Sequence, residues 1–209
     1  MRVTKFGHAC VRIEHEGQVV VIDPGAWSER EAIDGATAVL VTHEHTDHLD
    51  LEHLQATDAP VFTIDAVARQ IADNAPGVAE RTTVVRPGER FDVGLPVEAI
   101  GEQHAIIHPE LPMFFNSGYR ITVGDQTLFH PGDAFTIPDA TPDVLCLPVS
   151  APWSKMSEVM DYARAVMAPT TLAIHDLVYS DLGLALADAR MQSMVGDNVY
   201  KRLASGADL

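Results

Sequence analysis

The sequence predicts a mixed α/β (α+β) protein in which two β-sheets carry helices on their outer faces. Three observations predict it. Short β-branched runs outnumber helical patterns, and the helical patterns fall between groups of strands. Glycine (14) and proline (13) are spread along the chain, as many short elements with tight turns require. The length of 209 residues suits one domain, 1–209, with a large core. With 46% apolar and 21% charged residues, the composition is that of a globular chain, not a disordered one.

The elements follow in order. Residues 3–6, 10–14 and 18–22 read as strands, with Glu16-Gly17 as the hairpin turn between the last two. Asp23-Pro24-Gly25 ends the third. The apolar run 38–41 predicts a buried strand, after which helix takes over near Asp47. Residues 61–64 read as a strand, and 65–73 as a helix capped by Asp65. Strands are expected at 82–85, 89–93 and 96–100. The stretch 101–117 is too long and too polar for a simple turn, and such loops often carry function. Residues 119–123 and 126–130 form a hairpin around Gly124-Asp125. A buried strand at 144–149 precedes a helix over 155–167. Met156, Val159, Met160, Ala163, Val166 and Met167 share one face of that helix. Residues 171–174 read as a strand and 184–203 as mostly helix.

Charge narrows the function classes. Lys+Arg number 14 and Asp+Glu 30, a formal net charge of −16. That balance disfavours nucleic acid and anionic membrane surfaces, which both need positive charge. Two cysteines, Cys10 and Cys146, cannot build a disulfide framework, so a cytoplasmic setting is expected, with both as small core residues. No apolar run approaches the ~20 residues that span a bilayer, and residues 1–16 lack the apolar core of a signal peptide. The ten histidines are the unusual feature, and they point to metal or proton chemistry.

The chemistry concentrates in Thr42-His43-Glu44-His45-Thr46-Asp47-His48-Leu49-Asp50, just after a buried strand. Histidines at i and i+2 in extended backbone project to one side, so His43 and His45 can reach one metal. If Thr46 caps a helix, Asp47 and His48 lie in its first turn and face a second. Imidazole and carboxylate are ligands that zinc prefers. Such a cluster has no packing use and costs desolvation. His104, Asp133 and His175 each follow a strand, so all can converge on one sheet edge.

His43-x-His45-x-Asp47-His48, a later histidine, Gly132-Asp133 and a late histidine resemble the metallo-β-lactamase superfamily over the whole chain. Gly7-His8-Ala9-Cys10, Ile22-Asp23-Pro24-Gly25 and the tail from Pro152-Trp153 to Ile174-His175-Asp176 resemble its small bacterial branch related to the ascorbate-6-phosphate lactonase. The resemblance implies a four-layer αββα sandwich. It also implies that His43, His45 and His104 hold one metal, Asp47, His48 and His175 a second, and Asp133 both. The metals would lie about 3.5–4 Å apart around a hydroxide. Zinc is the expected ion, with manganese or iron as alternatives. Asp133 would orient the metals, and Asp47 could also shuttle protons.

Other residues are candidates for support or substrate contact. Asp23 is expected to hold the ligand loop by hydrogen bonds; a plain turn residue before Pro24 is the alternative. His8 could line the pocket or donate a proton, or be a structural histidine. His108 and Asn116 lie in the loop that could cover the site. Lys155 could meet an anionic group or be a solvated helix-start lysine. His130 reads as buried support for the Asp133 loop, and His15 and His53 as surface residues.

The expected function is hydrolysis of a small ester-type substrate, which could be anionic: a lactone, a carboxylic ester or a phosphodiester. Two alternatives have the same fold. A nuclease like RNase Z needs a basic surface or an RNA-grasping arm, and the charge of −16 counts against it. A metal-binding or redox protein without hydrolytic turnover is the other. The oligomeric state is open.

Overall fold

Each half of the chain builds one sheet. A computed structural model describes residues 1–197 and 199–209. The first half supplies β1 (Arg2–Phe6), β2 (Cys10–His15), β3 (Gln18–Ile22), β4 (Ala38–Val41), β5 (Val61–Thr63) and β6 (Thr82–Val84), in that spatial order. Its helices are α1 (Leu51–Gln55), α2 (Asp65–Asn74) and α3 (Pro76–Ala79), with a 3-10 turn at Arg30–Ile33. The second half supplies β7 (Arg90–Asp92), β8 (Pro96–Ile100), β9 (Gly118–Val123), β10 (Gln126–His130), β11 (Val144–Pro148), β12 (Thr170–Ile174) and β13 (Tyr200–Lys201), neighbours in that order. Its helices are α4 (Met156–Val166) and α5 (Asp181–Val195).

The two sheets share one scheme. Antiparallel hairpins come first, and parallel strands follow. In the first sheet the change falls at β3, which pairs antiparallel with β2 and parallel with β4. In the second it falls at β10, antiparallel to β9 and parallel to β11.

Layering explains the apolar runs. In β4, Ala38 and Leu40 pack between the sheets, while Val39 and Val41 pack under α1, α2 and α3. In β11, Val144 and Cys146 face the inter-sheet core, and Leu145 and Leu147 face α4. Strands covered on both faces lose the polar alternation of half-exposed strands. The Tyr119 hydroxyl donates to the Val41 carbonyl at 2.9 Å, joining the sheets beside the ligand loop. The C-terminal tail lies along β1 through Lys5 N to Ala207 O (3.2 Å) and Leu209 N to Val3 O (2.9 Å), covering that edge.

Four local expectations differ from the structure. Helix does not begin near Asp47. The Thr46 carbonyl accepts from Ala26 N–H, and Asp50 caps α1 by accepting from Glu52 N–H, so α1 starts at Leu51. Asp65 is the first residue of α2, not its cap, and Ile64 precedes it without a side-chain bond. The helix expected at 184–203 ends at Val195, where Gly196 (φ +113°) breaks it, and β13 follows. Asn198, in that expected helix, lies outside the described residues. His53 is buried, with its Nδ1 3.1 Å from the Pro24 carbonyl, and is not a surface residue. Among the described residues, no helix is long and apolar enough to cross a membrane.

Candidate metal centre

The candidate residues gather where strands end. Asp23 follows β3, the 42–50 segment follows β4, and His175 follows β12. His104 and Asp133 lie four and three residues beyond β8 and β10. All of these strands point their C-terminal ends to one edge, the usual place for a site in sheets of this kind.

Two glycines let the segments approach. A Cβ on Gly25 would run into the Asp47 backbone. A Cβ on Gly132 (φ +62°) would run into the Asn116 side chain and Thr42. Asp23 and His175 also adopt left-handed backbone, at φ +50° and +59°. Such strain at a non-glycine residue costs on the order of 1–3 kcal/mol and persists only where neighbours hold it. Here His175 N–H donates to His8 O at 2.7 Å, and Ser150 Oγ donates to His175 O at 2.6 Å.

The seven expected ligands fall into two groups. His43, His45, His104 and Asp133 each offer an atom within 4.8 Å of the others. Asp47, His48, Asp133 and His175 do the same. Asp133 belongs to both.

Hydrogen bonds from behind orient the rings. His48 Nδ1 lies 2.7 Å from Asp23 Oδ2, and His104 Nδ1 lies 2.6 Å from Ala105 O. His175 Nδ1 contacts Ser150 O. These partners only accept, so each Nδ1 carries a proton, and each Nε2 is left for a cation or, in its place, a second proton. Those Nε2 atoms face carboxylates. His48 Nε2 is 3.1 Å from Asp133 Oδ1, and His104 and His175 Nε2 are each 3.3 Å from Asp133 Oδ2. All three Nε2 atoms and Asp133 Oδ1 are buried without a hydrogen-bond partner. Imidazole nitrogens set against carboxylate oxygens require positive charge between them. This arrangement and the His/Asp donor set fit divalent cations.

The electrostatics say the same. Burial opposes charge on His48, but Asp133 and Asp23 outweigh it and raise its pKa well above the ordinary value. His175 is likewise disfavoured by burial yet pushed up to about 9 by Asp133 and Asp47. Asp133 would be raised by burial, but His48 and His175 hold it well below the carboxylate range. Burial lowers His43 and His45, with neighbouring imidazoles adding to it. Protons at His48 and His175 thus supply the charge that cations would otherwise provide.

Several residues act behind the cluster. Asp23 is fully buried, and its oxygens accept from Thr42 N–H, Thr42 Oγ1 and His48 Nδ1, each at 2.7 Å. It therefore braces the ligand loop. His8 is fully buried and accepts from Leu177 N–H at Nδ1, which leaves its Nε2–H 3.6 Å from Asp47 Oδ2. Burial pushes its pKa down to about 4. His8 backs Asp47 rather than facing the pocket. Asn116 accepts from Asp133 N–H (3.0 Å) and donates to Pro131 O (2.8 Å), so it clamps the Asp133 loop. His130 lies 2.8 Å from Ala9 O and accepts from Gly132 N–H, supporting the same loop. His108 is exposed in its loop and accepts from Glu110 N–H. Lys155 is 80% exposed at the start of α4, 3.5 Å from Glu158.

Sequence reasoning named Trp153 within the Pro152-Trp153 tail but gave it no contact; its indole N–H donates to Asp133 Oδ2 at 3.0 Å. Sequence reasoning also missed the buried ion pair of Lys5 with Asp176 (2.9 Å), beside His175. A lysine in a strand was the available signal for the second. Phe114 packs edge-on to His45, with ring centroids 4.6 Å apart. A cavity of about 320 Å³ lined by Arg69, Arg86, Phe115 and Asn116 holds none of the seven ligand candidates.

Comparison with known proteins places the fold and the family. Residues 2–175 match the family model described as Beta-lactamase superfamily domain. Protein Rv0786c of Mycobacterium tuberculosis is 36% identical over 203 residues, covering 93% of this chain and 92% of its own. A UPF0173 metal-dependent hydrolase of Methylobacterium nodulans is 26% identical over 194 residues, covering 81% of each. Among solved structures, Igni18, a novel metallo hydrolase from Ignicoccus hospitalis, aligns with a TM-score of 0.74 at 18% identity. That alignment covers 100% of this chain and 97% of the other. The two-sheet, helix-covered fold and the family match together show that the chain belongs to the beta-lactamase superfamily domain family and has the metallo-β-lactamase fold, alongside relatives named as metal-dependent hydrolases.

Proposed function

We propose that this chain is a dinuclear metal-dependent hydrolase acting on a small ester-type substrate: a lactone, a carboxylic ester or a phosphodiester. The reading rests on two ligand groups that share Asp133 and aim partnerless buried nitrogens at it. His43, His45 and His104 would hold one divalent ion, Asp47, His48 and His175 a second, and Asp133 both. Zinc suits this His/carboxylate set, with manganese or iron as alternatives. When bound, such ions make water nucleophilic near neutral pH and stabilise the charge that develops on the attacked carbonyl or phosphoryl oxygen.

The chain's own residues supply order and proton handling. Asp23, Ala105 O and Ser150 O fix the ring tautomers. Asp47 is less buried than Asp133, at 16% against 3% exposed, so its carboxylate is placed to pass a proton toward solvent. Two divalent ions would shift the formal net charge from −16 to −12 and leave the floor locally cationic, which admits a small anionic substrate. We place the protein in the cytoplasm, working as one domain. Its two thiols are free and buried, as suits a reducing compartment.

The test is turnover of a matched panel by protein reconstituted separately with zinc, manganese and iron. The panel holds an aromatic lactone, an aryl carboxylic ester and an aryl phosphodiester. Hydrolysis of at least one class is expected, abolished by chelator and restored by metal. Protein carrying two equivalents that hydrolyses none of them would overturn the hydrolase reading.

A further inference from the structure

We infer that Trp153 is a positioning residue whose indole N–H sets which Asp133 oxygen lies between the two ligand groups. This rests on the metal-centre reading above. The observation is the bond from Trp153 Nε1 to Asp133 Oδ2 at 3.0 Å.

A carboxylate torsion is broad and roughly two-fold, so the backbone alone does not decide which oxygen faces which group. Asn116 holds only the Asp133 amide, and Ala105 N–H holds only its carbonyl. Among the described residues, Trp153 is the one side chain that hydrogen-bonds the Asp133 carboxylate. With Oδ2 held there, Oδ1 falls 3.1 Å from His48 Nε2, and Oδ2 lies 3.3 Å from both His104 and His175 Nε2. Oδ2 thus lies between the two groups, and Oδ1 faces His48 of the second group.

The indole is itself braced. Its ring meets Phe135 at 5.1 Å between centroids, and Phe135 meets Tyr162 of α4 at 5.0 Å. The Tyr162 hydroxyl donates to Thr136 O at 2.8 Å. Indole nitrogen is a donor only, so Trp153 cannot itself ligate a cation. Its effect must pass through Asp133.

Trp153→Phe keeps an aromatic ring against Phe135 and removes the N–H. Zinc affinity is read by competition with a chromophoric chelator, alongside thermal melting of the metal-free protein. The expected result is a second zinc equivalent weakened by roughly 10–100-fold, the range for outer-shell partners, with metal-free melting unchanged. Trp153→Ala should weaken zinc as Trp153→Phe does. Wild-type affinity in Trp153→Phe, whether or not Trp153→Ala loses zinc, would overturn the inference. Wild-type protein that binds no zinc would overturn the metal-centre reading instead. Should the variants misfold, Trp27→Phe leaves Trp153 as the sole tryptophan. Its emission should then change as zinc is added and saturate with zinc uptake; unaltered emission during uptake would overturn the inference.

Discussion

Asp23 and Asp133 occupy matching places in the two halves of the molecule. Each follows the strand at which antiparallel pairing gives way to parallel, β3 in one sheet and β10 in the other. Each sits beside a Pro-Gly pair, and both are buried. Their surroundings are opposite. Asp23 is surrounded by protein donors: the Thr42 amide, the Thr42 hydroxyl and His48. Asp133 faces imidazole nitrogens, and its Oδ1 has no hydrogen-bond partner. The difference teaches that one carboxylate is saturated by protein donors, while the other keeps a buried oxygen that no protein donor reaches. Topology places both, and the local donors decide their roles.

The largest effect should come from Asp133→Asn, which keeps shape and removes charge from both groups. Metal binding should fall by more than the roughly 100-fold upper end for outer-shell changes, with activity falling in step. Metal analysis together with kcat/KM checks this, and full metal content in the variant would break the comparison. Metal removal comes next. Saturation at 100 times Kd stabilises a protein by about 2.7 kcal/mol, and chelation should remove that amount, seen as a lower urea midpoint. Asp23→Asn should weaken metal by roughly 10–100-fold. It should also cost the metal-free fold about 1–3 kcal/mol, because Thr42 and His48 lose an acceptor in a buried setting. That second effect sharpens the contrast, since it appears without any ion. Thr42→Val removes one hydroxyl bridge between Asp23 and His43 and should cost about 1 kcal/mol. The smallest effect is expected from Lys155→Ala. It should stay within about 0.5 kcal/mol with unchanged kcat/KM, as for an exposed lysine outside the cluster.

The candidate ligands were legible in the sequence because the spacing of His43, His45, Asp47 and His48 is local and the others follow recognisable strands. The apolar runs of β4 and β11 likewise announced burial on both faces. The support was harder to read. Asn116 acts on Asp133 across 17 positions, Ser150 on His175 across 25, and Trp153 on Asp133 across 20. No local pattern encodes such contacts. The start of α1 was misread for the same reason: the Thr46 carbonyl is taken by Ala26, a partner 20 positions away. His53 looked like a surface residue on its helix, yet the Pro24 carbonyl in the Asp23 loop draws it inward.

The central claim is that Asp133 is shared by two cations while Asp23 touches none. Crystals grown with zinc and measured on both sides of the zinc absorption edge test it directly. The account predicts two anomalous peaks, one within the His43, His45 and His104 group and one within the Asp47, His48 and His175 group, with Asp133 between them. A single peak, or a peak bonded to Asp23, would contradict it.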